Sequence, residues 1–255
     1  MMINCRINMA QVRNECATAA MPHTEAVKFA NVRIVLQPEQ RLAITGTGDN
    51  HVFLVANGAL LLEAQVHGEQ RRALELLFPG DIFATVDVPR MPAMLLIAAT
   101  ACDLIRYTVS PVDASSQAEW PILAWMQTAF AHRNARRMLH YASIAEPVAE
   151  HRLGDFLVEA GLYLGHPNGA SRSFELPFAR EQIASYLALN PDTLSRLFTR
   201  FKQRGLIAVA RRRVTVPCWT ALCQASPLAD AMIDLAAQRA KAPGLLQVTE
   251  HSLPA

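Results

Sequence analysis

Residues 180–204 read REQIASYLALNPDTLSRLFTRFKQR, and this stretch decides how the C-terminal half of the chain is understood. Ile183, Ala184 and Leu187 make the inner face of one short helix. Leu194, Leu197, Phe198 and Phe201 fall at the i, i+3, i+4, i+7 spacing of a second. Between them Asn190 is placed to cap a helix, Pro191 suits the first helical position, and Asp192 sets a negative charge beside the positive end of the helix dipole. Ala179 offers no capping oxygen, so the start of the first helix is weakly specified. With the apolar stripe turned inward, Thr193, Ser195, Arg196, Thr199, Arg200 and Gln203 are left outside. These are hydrogen-bonding side chains of the kind that read base edges or hold phosphates in a DNA groove.

Gly205 supplies the positive-φ stop expected just past a helix. Residues 206–216, LIAVARRRVTV, then spell a short β-hairpin with Arg211, Arg212 and Arg213 near its tip, in the manner of a wing. From Arg196 to Arg213 there are seven basic residues and no acidic one, which gathers positive potential where phosphates would lie. The competing reading is an ordinary amphipathic helix pair with a solvated basic face. The capped turn, the wing and the one-sided charge together favour double-stranded DNA as the partner.

Composition frames this reading. A chain of 255 residues, 51% hydrophobic and 18% charged, supports two compact domains with their own cores. Its net charge is only +2, so nucleic-acid binding has to rest on local clustering. The five cysteines are odd in number and widely spread, and no secretory signal precedes them, which points to a reducing cytoplasm. The longest apolar run, residues 91–102, falls well short of the roughly 20 residues that span a bilayer, so no membrane partner is expected.

Residues 1–25 are polar and aperiodic and form an N-terminal arm. Over 26–116 the texture changes to short apolar runs, FANVRIVL, RLAITG, HVFLVANGALLLEAQV, RRALELLFPGDIFA and MLLIAATACDLIRY, broken at Thr47–Asn50, Asn57-Gly58, His67–Glu69 and Pro79–Asp81. That spacing predicts an antiparallel β-barrel or roll. Residues 117–146 contain one long helix with an apolar stripe through Ile122, Met126, Ala129, Phe130, the stem of Arg133, and Arg137 or Met138. Such a stripe is buried either on a twofold partner, giving a homodimer, or back on the chain's own domains. A further helix over 150–164 opens the DNA-binding segment, 147–217. The tail, 218–255, carries a helical patch at 228–240 that is expected to pack beside the winged segment.

This order of parts, an α+β chain with a β-roll, a long dimerisation helix and a winged helix-turn-helix, resembles the CRP/FNR family of bacterial transcription regulators over about residues 27–217. AREQIASYLALNPDTLSRLFTRFKQRGLI is similar to the family's helix-turn-helix signature, and LFPGDIFA with TACDLIRY is similar to its cyclic-nucleotide-binding-like roll. The resemblance implies a dimer on a palindromic operator and a contact with RNA polymerase. In the FNR/FixK-like branch the base-reading positions fall on Asp192, Ser195 and Arg196, implying a TTG-containing half-site. Asp is one methylene shorter than the family's Glu at the first of these. Phosphate or flanking contacts then fall to Thr193, Thr199, Arg200, Gln203, Arg211, Arg212 and Arg213.

Resident cofactors are expected to be absent. Where cyclic-nucleotide members carry Arg-Ser or Arg-Thr, this chain has Pro92 and Ala93, with Arg90 two residues away, and Asp81 stands for the family's ribose-binding Glu. An iron–sulfur cluster needs four thiolates; the arm holds only Cys5 and Cys16, and Cys102 reads as a small buried hydrophobe. No His lies between His67 and His132 to match the family's haem ligand, leaving only unshared ligands such as His23, and Cys218 and Cys223 lack a His neighbour. Two readings of the roll stay open: effector-independent control, or sensing of an unidentified small molecule or haem. A cupin-like enzyme would need clustered His with a carboxylate, whereas His51 and His67 stand well apart as surface turn residues, so no enzymatic activity is expected.

Overall fold

The turn at Asn57-Gly58 carries the chain from one sheet of the roll to the other. Gly58 lies at φ +87°, and a β-carbon there would fall 2.4 Å from the carbonyl oxygen of Ala101 and 2.5 Å from Cys102 Sγ, so Asn57-Gly58 admits no side chain at its second position. The computed structural model describes residues 26–44, 51–68, 70–85, 93–112 and 120–241. The N-terminal arm with Cys5, Cys16 and His23, the turn at 47–50, Arg90, Pro92 and the tail beyond 241 lie outside the described residues.

Eight strands follow the apolar runs: β1 (Ala26–Leu36), β2 (Arg41–Ala43), β3 (His51–Asn57), β4 (Leu60–His67), β5 (Gln70–Leu77), β6 (Ile82–Ala84), β7 (Met94–Ala98) and β8 (Cys102–Val112). They pair antiparallel in two four-stranded sheets, ordered β1-β8-β3-β6 and β2-β7-β4-β5. Strand alternation sends Phe53, Val55, Leu60, Leu62, Leu77, Phe83, Leu96 and Leu104 into the space between them, with Cys102 buried among them as a small hydrophobe.

Helix α1 (Trp120–Ala145) leaves the roll and is followed by α2 (Ala149–Leu164). Residues 165–169 contribute β9 (His166–Asn168), paired with β10 (Ser171–Glu175). Then come α3 (Arg180–Tyr186), α4 (Pro191–Gln203), β11 (Ala208–Ala210), β12 (Arg213–Val216), α5 (Trp219–Gln224) and α6 (Ala229–Lys241). β10 pairs with β12, so the wing is one edge of a third four-stranded sheet, β11-β12-β10-β9.

The stripe of α1 offered to a twofold partner is turned inward. Met126 is buried with Trp125 against Leu54, Ile82 and Ala84, and Ala129 and Phe130 pack on the same cluster. Arg133 is only 4% exposed and makes a two-pronged pair with Glu75 of β5, Nε to Oε1 at 2.8 Å and Nη2 to Oε2 at 2.7 Å. The stripe is therefore spent on the chain's own roll, and of its members whose side chains are described Met138 alone is exposed, on the opposite side. Only the backbone of Ile122 is described.

One turn further, Arg136 is fully enclosed. Its Nε donates to Glu159 of α2 at 3.0 Å, Nη1 to Asp81 at 2.5 Å and Nη2 to the carbonyl of Leu76, and its guanidinium lies over the rings of Phe78 and Tyr163. Asp81 also accepts from the backbone N–H of Phe78 at 2.8 Å and from Arg239 of α6 at 3.2 Å. Burial alone would push the Asp81 carboxyl up, but the two guanidinium charges overcome it and hold it below its ordinary range. The tail, expected beside the winged segment, does bury Met232 in that core, and it also reaches the roll through Arg239.

Asp81→Ala leaves two guanidinium groups short of a buried carboxylate, and is expected to cost about 3–5 kcal/mol in urea-denaturation free energy. His140 stacks on Tyr186 with ring centroids 3.9 Å apart. Burial, reinforced by the Arg136 charge, pushes its pKa down to about 4. The unfolded ring takes its proton near 6.5, so the unfolded state binds more protons between these values and stability falls as pH drops through that window. His140→Phe keeps a stacked ring without the titration, and its thermal midpoint is expected to fall less steeply than the parent's between pH 6.5 and pH 4.

Candidate nucleic-acid interface

The site is built on α3 and α4. Ile183, Ala184 and Leu187 are buried on the first, and Leu194, Leu197, Phe198 and Phe201 on the second, as their spacing requires. Asn190 Oδ1 accepts from the backbone N–H of Asp192 at 2.8 Å, and Pro191 occupies the first helical turn. The unpromising start of α3 is rescued from inside the helix: Gln182 Oε1 accepts the Ala179 N–H at 2.8 Å, one half of a capping box. The tight turn runs through Ala188 at φ 51°, a left-handed position held without glycine. At the far end Gly205 has φ 69°, and the Leu206 N–H returns to the Phe201 carbonyl at 3.0 Å, closing the helix as a Schellman motif.

Arg180 fixes α3 on α4 by laying its guanidinium 3.5 Å from the centre of the Phe198 ring. Its Nη1 is buried without a hydrogen-bond partner among the described residues. The pair of helices is also docked on the rest of the chain. Ser185 Oγ accepts from the Ala73 N–H of β5 at 3.0 Å, and the Tyr186 hydroxyl donates to Glu159 at 3.1 Å.

Against this backing the outer face is open. Asp192, Thr193, Ser195, Arg196, Thr199, Arg200 and Gln203 are all exposed, and so are Arg211, Arg212 and Arg213 on the wing. They do not form one uniform cationic set. Arg200 pairs with Glu150 of α2, joined by Arg204 at 3.3 Å, and the hydrogen bond from Arg200, then the charges of both arginines, draw the Glu150 carboxyl below its ordinary range. Arg213 faces Glu175 across the sheet at 3.5 Å, with both side chains exposed, an arrangement worth little in water. Thr199 turns its hydroxyl back to the Ser195 carbonyl at 3.0 Å. Among the described residues Arg196, Arg211 and Arg212 have no ion pair. Arg211 sits at φ 56° in the hairpin turn, a conformation that a β-carbon penalises by about 1–2 kcal/mol.

Among the described residues the roll presents no comparable chemistry. Both carboxylate oxygens of Asp81 are engaged within the chain. Thr100 Oγ1 accepts from the Ala59 N–H at 2.9 Å. His51 is a half-buried residue of β3 beside Thr108, not a turn residue. Among the described residues no group of three or more His, Cys, Asp and Glu is gathered as a metal site needs, and no helix is long and apolar enough to cross a membrane. Cys218 is exposed and Cys223 half-buried, both as free thiols.

Residues 151–225 match the family model of the Crp-like helix-turn-helix domain. The nitrogen fixation regulation protein FixK of Rhizobium meliloti (strain 1021) is 26% identical over 177 residues, which cover 69% of this chain and 78% of that protein. The transcriptional activator protein FnrA of Stutzerimonas stutzeri is 31% identical over 80 residues, 31% of this chain and 33% of the relative. In fold, FixK2 from Bradyrhizobium japonicum superposes with a TM-score of 0.60 at 16% identity, covering 77% of this chain and 98% of that one. A β-roll followed by a long helix and an open, capped helix-turn-helix with a basic wing defines a DNA-binding transcription regulator. Residues 151–225 carry a Crp-like helix-turn-helix domain, and over a longer span the chain is similar to regulators of the CRP/FNR family, FixK among them.

Asn190→Ala removes the cap that starts the outward helix, and is expected to cost about 1 kcal/mol of unfolding free energy in denaturant melts.

Proposed function

We propose that the protein reads a palindromic, TTG-containing operator as a twofold homodimer and regulates transcription in concert with RNA polymerase, without cyclic AMP or an iron–sulfur cluster. The observation that carries this reading is the exposed, ion-pair-free guanidinium of Arg196 in the middle of the outward face of α4, beside a wing that adds Arg211 and Arg212. Arg196 donates in two-pronged fashion to guanine O6 and N7, Ser195 meets a thymine, and Asp192, one turn nearer the helix start, accepts from cytosine N4. Thr193 and Gln203 flank the readers, and the wing arginines hold phosphates. Arg200 joins them by exchanging Glu150 for a phosphate, since a pair this exposed is easily opened. The full engagement of Asp81 within the chain supports a reading without a cyclic nucleotide.

The dimer uses the side of α1 that the roll leaves free. Gln127, Ala131, Asn134, Met138, Tyr141 and Ala145 repeat with the alternating four-and-three spacing of a coiled-coil seam, and all are exposed, Met138 at 62% and Tyr141 at 48%. A partner presenting the same seam buries Met138 against itself across the axis. This side has the apolar content to be covered but too little to hold a separate domain, which suits a self-complementary pair.

Fluorescence anisotropy on a duplex bearing a TTG-containing inverted repeat, with a scrambled duplex beside it, tests the readout. Arg196→Ala is expected to lose roughly 1–3 kcal/mol on the first duplex and little on the second. Equal losses on both would assign Arg196 to phosphate. For the dimer, Met138→Glu places like charges across the twofold axis. Sedimentation velocity is expected to show a monomer, with operator affinity falling in step; a dimer that persists unchanged sinks the seam.

A further inference from the structure

The C-terminal helix α6 lies beyond residues 151–225, the segment that matches the Crp-like domain, and its placement creates a space outside the roll. Between α6, α1, the end of α2, the C-terminal end of β3 and the Pro79-Gly80 turn is a cleft of about 660 Å³. That lies within the size range of pockets that enclose small organic molecules. It is separate from the interior of the roll, which is filled by Phe53, Leu60, Leu62 and Phe83. We infer that this cleft binds an uncharged, mainly apolar small molecule carrying a hydrogen-bond acceptor, held between the long helix and the C-terminal helix. The inference goes beyond the DNA reading and is measured without DNA.

The wall explains the class of ligand. Leu54, Trp125, Ala129, Ala135, Leu235 and Ala236 are apolar. The polar groups that border it are His132, Gln238, Thr128, Tyr163 and Arg239. Arg239 is already answered by Asp81 at 3.2 Å and by the carbonyl of Pro79, so it offers no spare charge to an anion. His132 shares a hydrogen bond with the Tyr163 hydroxyl at 3.3 Å, and burial, then the Arg239 charge, push its pKa down to about 4, leaving the ring neutral. A charged ligand would lose its water without gaining a counter-charge. Trp125 is buried, and its indole N–H has no acceptor among the described residues. That N–H is closed off from the cleft, and the donor that an acceptor atom on a bound molecule meets there is the exposed amide of Gln238. α6 joins the winged segment, through Met232, to the roll, through Arg239, so whatever fills the cleft touches both halves of the chain.

The test is a fluorescence titration of the full chain with N-phenyl-1-naphthylamine, an uncharged apolar probe, and in parallel with its 8-sulfonate, which differs only by the anionic group. The uncharged probe is expected to saturate at one per chain, with the sulfonate about tenfold weaker or more. Ala135→Phe and Ala236→Phe each fill the cleft from a different helix and are expected to weaken the uncharged probe about tenfold. Far-UV circular dichroism and the thermal midpoint report that each variant is folded, and either alone suffices. Energy transfer from tryptophan to the bound probe is expected to fall in Trp125→Phe, which adds no bulk. Binding that does not saturate, a sulfonate that binds as tightly, folded alanine-to-phenylalanine variants that bind unchanged, or transfer indifferent to Trp125 overturns the inference. Failure of the probe to bind, as when a second copy of the chain fills the cleft, overturns it equally. None of these outcomes depends on the operator reading, and loss of operator binding in Arg196→Ala leaves the probe titration untouched.

Discussion

The guanidinium of Arg136 is the point on which the arrangement of parts depends. It is enclosed by the chain, and its donors go to three separate elements: the Glu159 carboxylate of α2, the Asp81 carboxylate after the β5 strand, and the Leu76 carbonyl within it. A charge taken out of water must find its counter-charges and acceptors in the protein, because the interior offers none by itself. Satisfying Arg136 therefore fixes where α1, α2 and the roll stand relative to one another. Arg239 then adds α6 to the same carboxylate. Arg133 and Glu75 repeat the device one turn earlier along α1.

This constraint extends to the DNA-binding helices through Glu159. Burial pushes that carboxyl up, and it is stabilised as an acceptor by Arg136 on one side and the Tyr186 hydroxyl on the other. Tyr186 belongs to α3, and His140 of α1 lies flat on its ring. Ser185 next to it is held by β5. The first helix of the pair is thus tied to the roll, while the second keeps Arg196 on its polar face free of any ion pair among the described residues. A recognition surface needs this division, since the face that reads bases must stay hydrated and unpaired until DNA arrives, whereas its orientation must be set in advance by groups that never leave the protein.

The long helix divides its surface in the same spirit. Met126, Arg133 and Arg136 face the chain's own core, and Ala131, Met138 and Tyr141 face outward. An α-helix of 26 residues carries two usable stripes, and apolar periodicity alone does not say which partner each stripe meets. The stripe through Met126 and Phe130 looked like a seam because its spacing is regular. Its arginines were the discordant sign, since a buried guanidinium needs carboxylates close by, and Glu75, Asp81 and Glu159 come from elsewhere in the chain.

Much of this protein was legible in residue order. The alternating runs of the roll, the Asn57-Gly58 turn, the capped start at Asn190, the glycine stop at Gly205 and the outward polar set around Arg196 are all local, set by strand period, helix period, turn conformation and caps that act over a few residues. The pairing of β9 with β10 escaped because His166–Asn168 lacks a strand's composition and gains its bonds only from its neighbour. The start of α3 was underrated because Gln182 supplies from within the helix what Ala179 lacks. What the tertiary structure alone decided are the links between distant positions: Glu75 with Arg133, Asp81 with Arg136 and Arg239, Glu159 with Tyr186, and Glu150 with Arg200. Nothing in the sequence pairs these charged and polar residues with one another. Only folding removes the water that would otherwise solvate Glu75, Asp81 and Glu159, and in doing so it makes their pairings the frame of the molecule, whereas Glu150 and Arg200 meet at the surface.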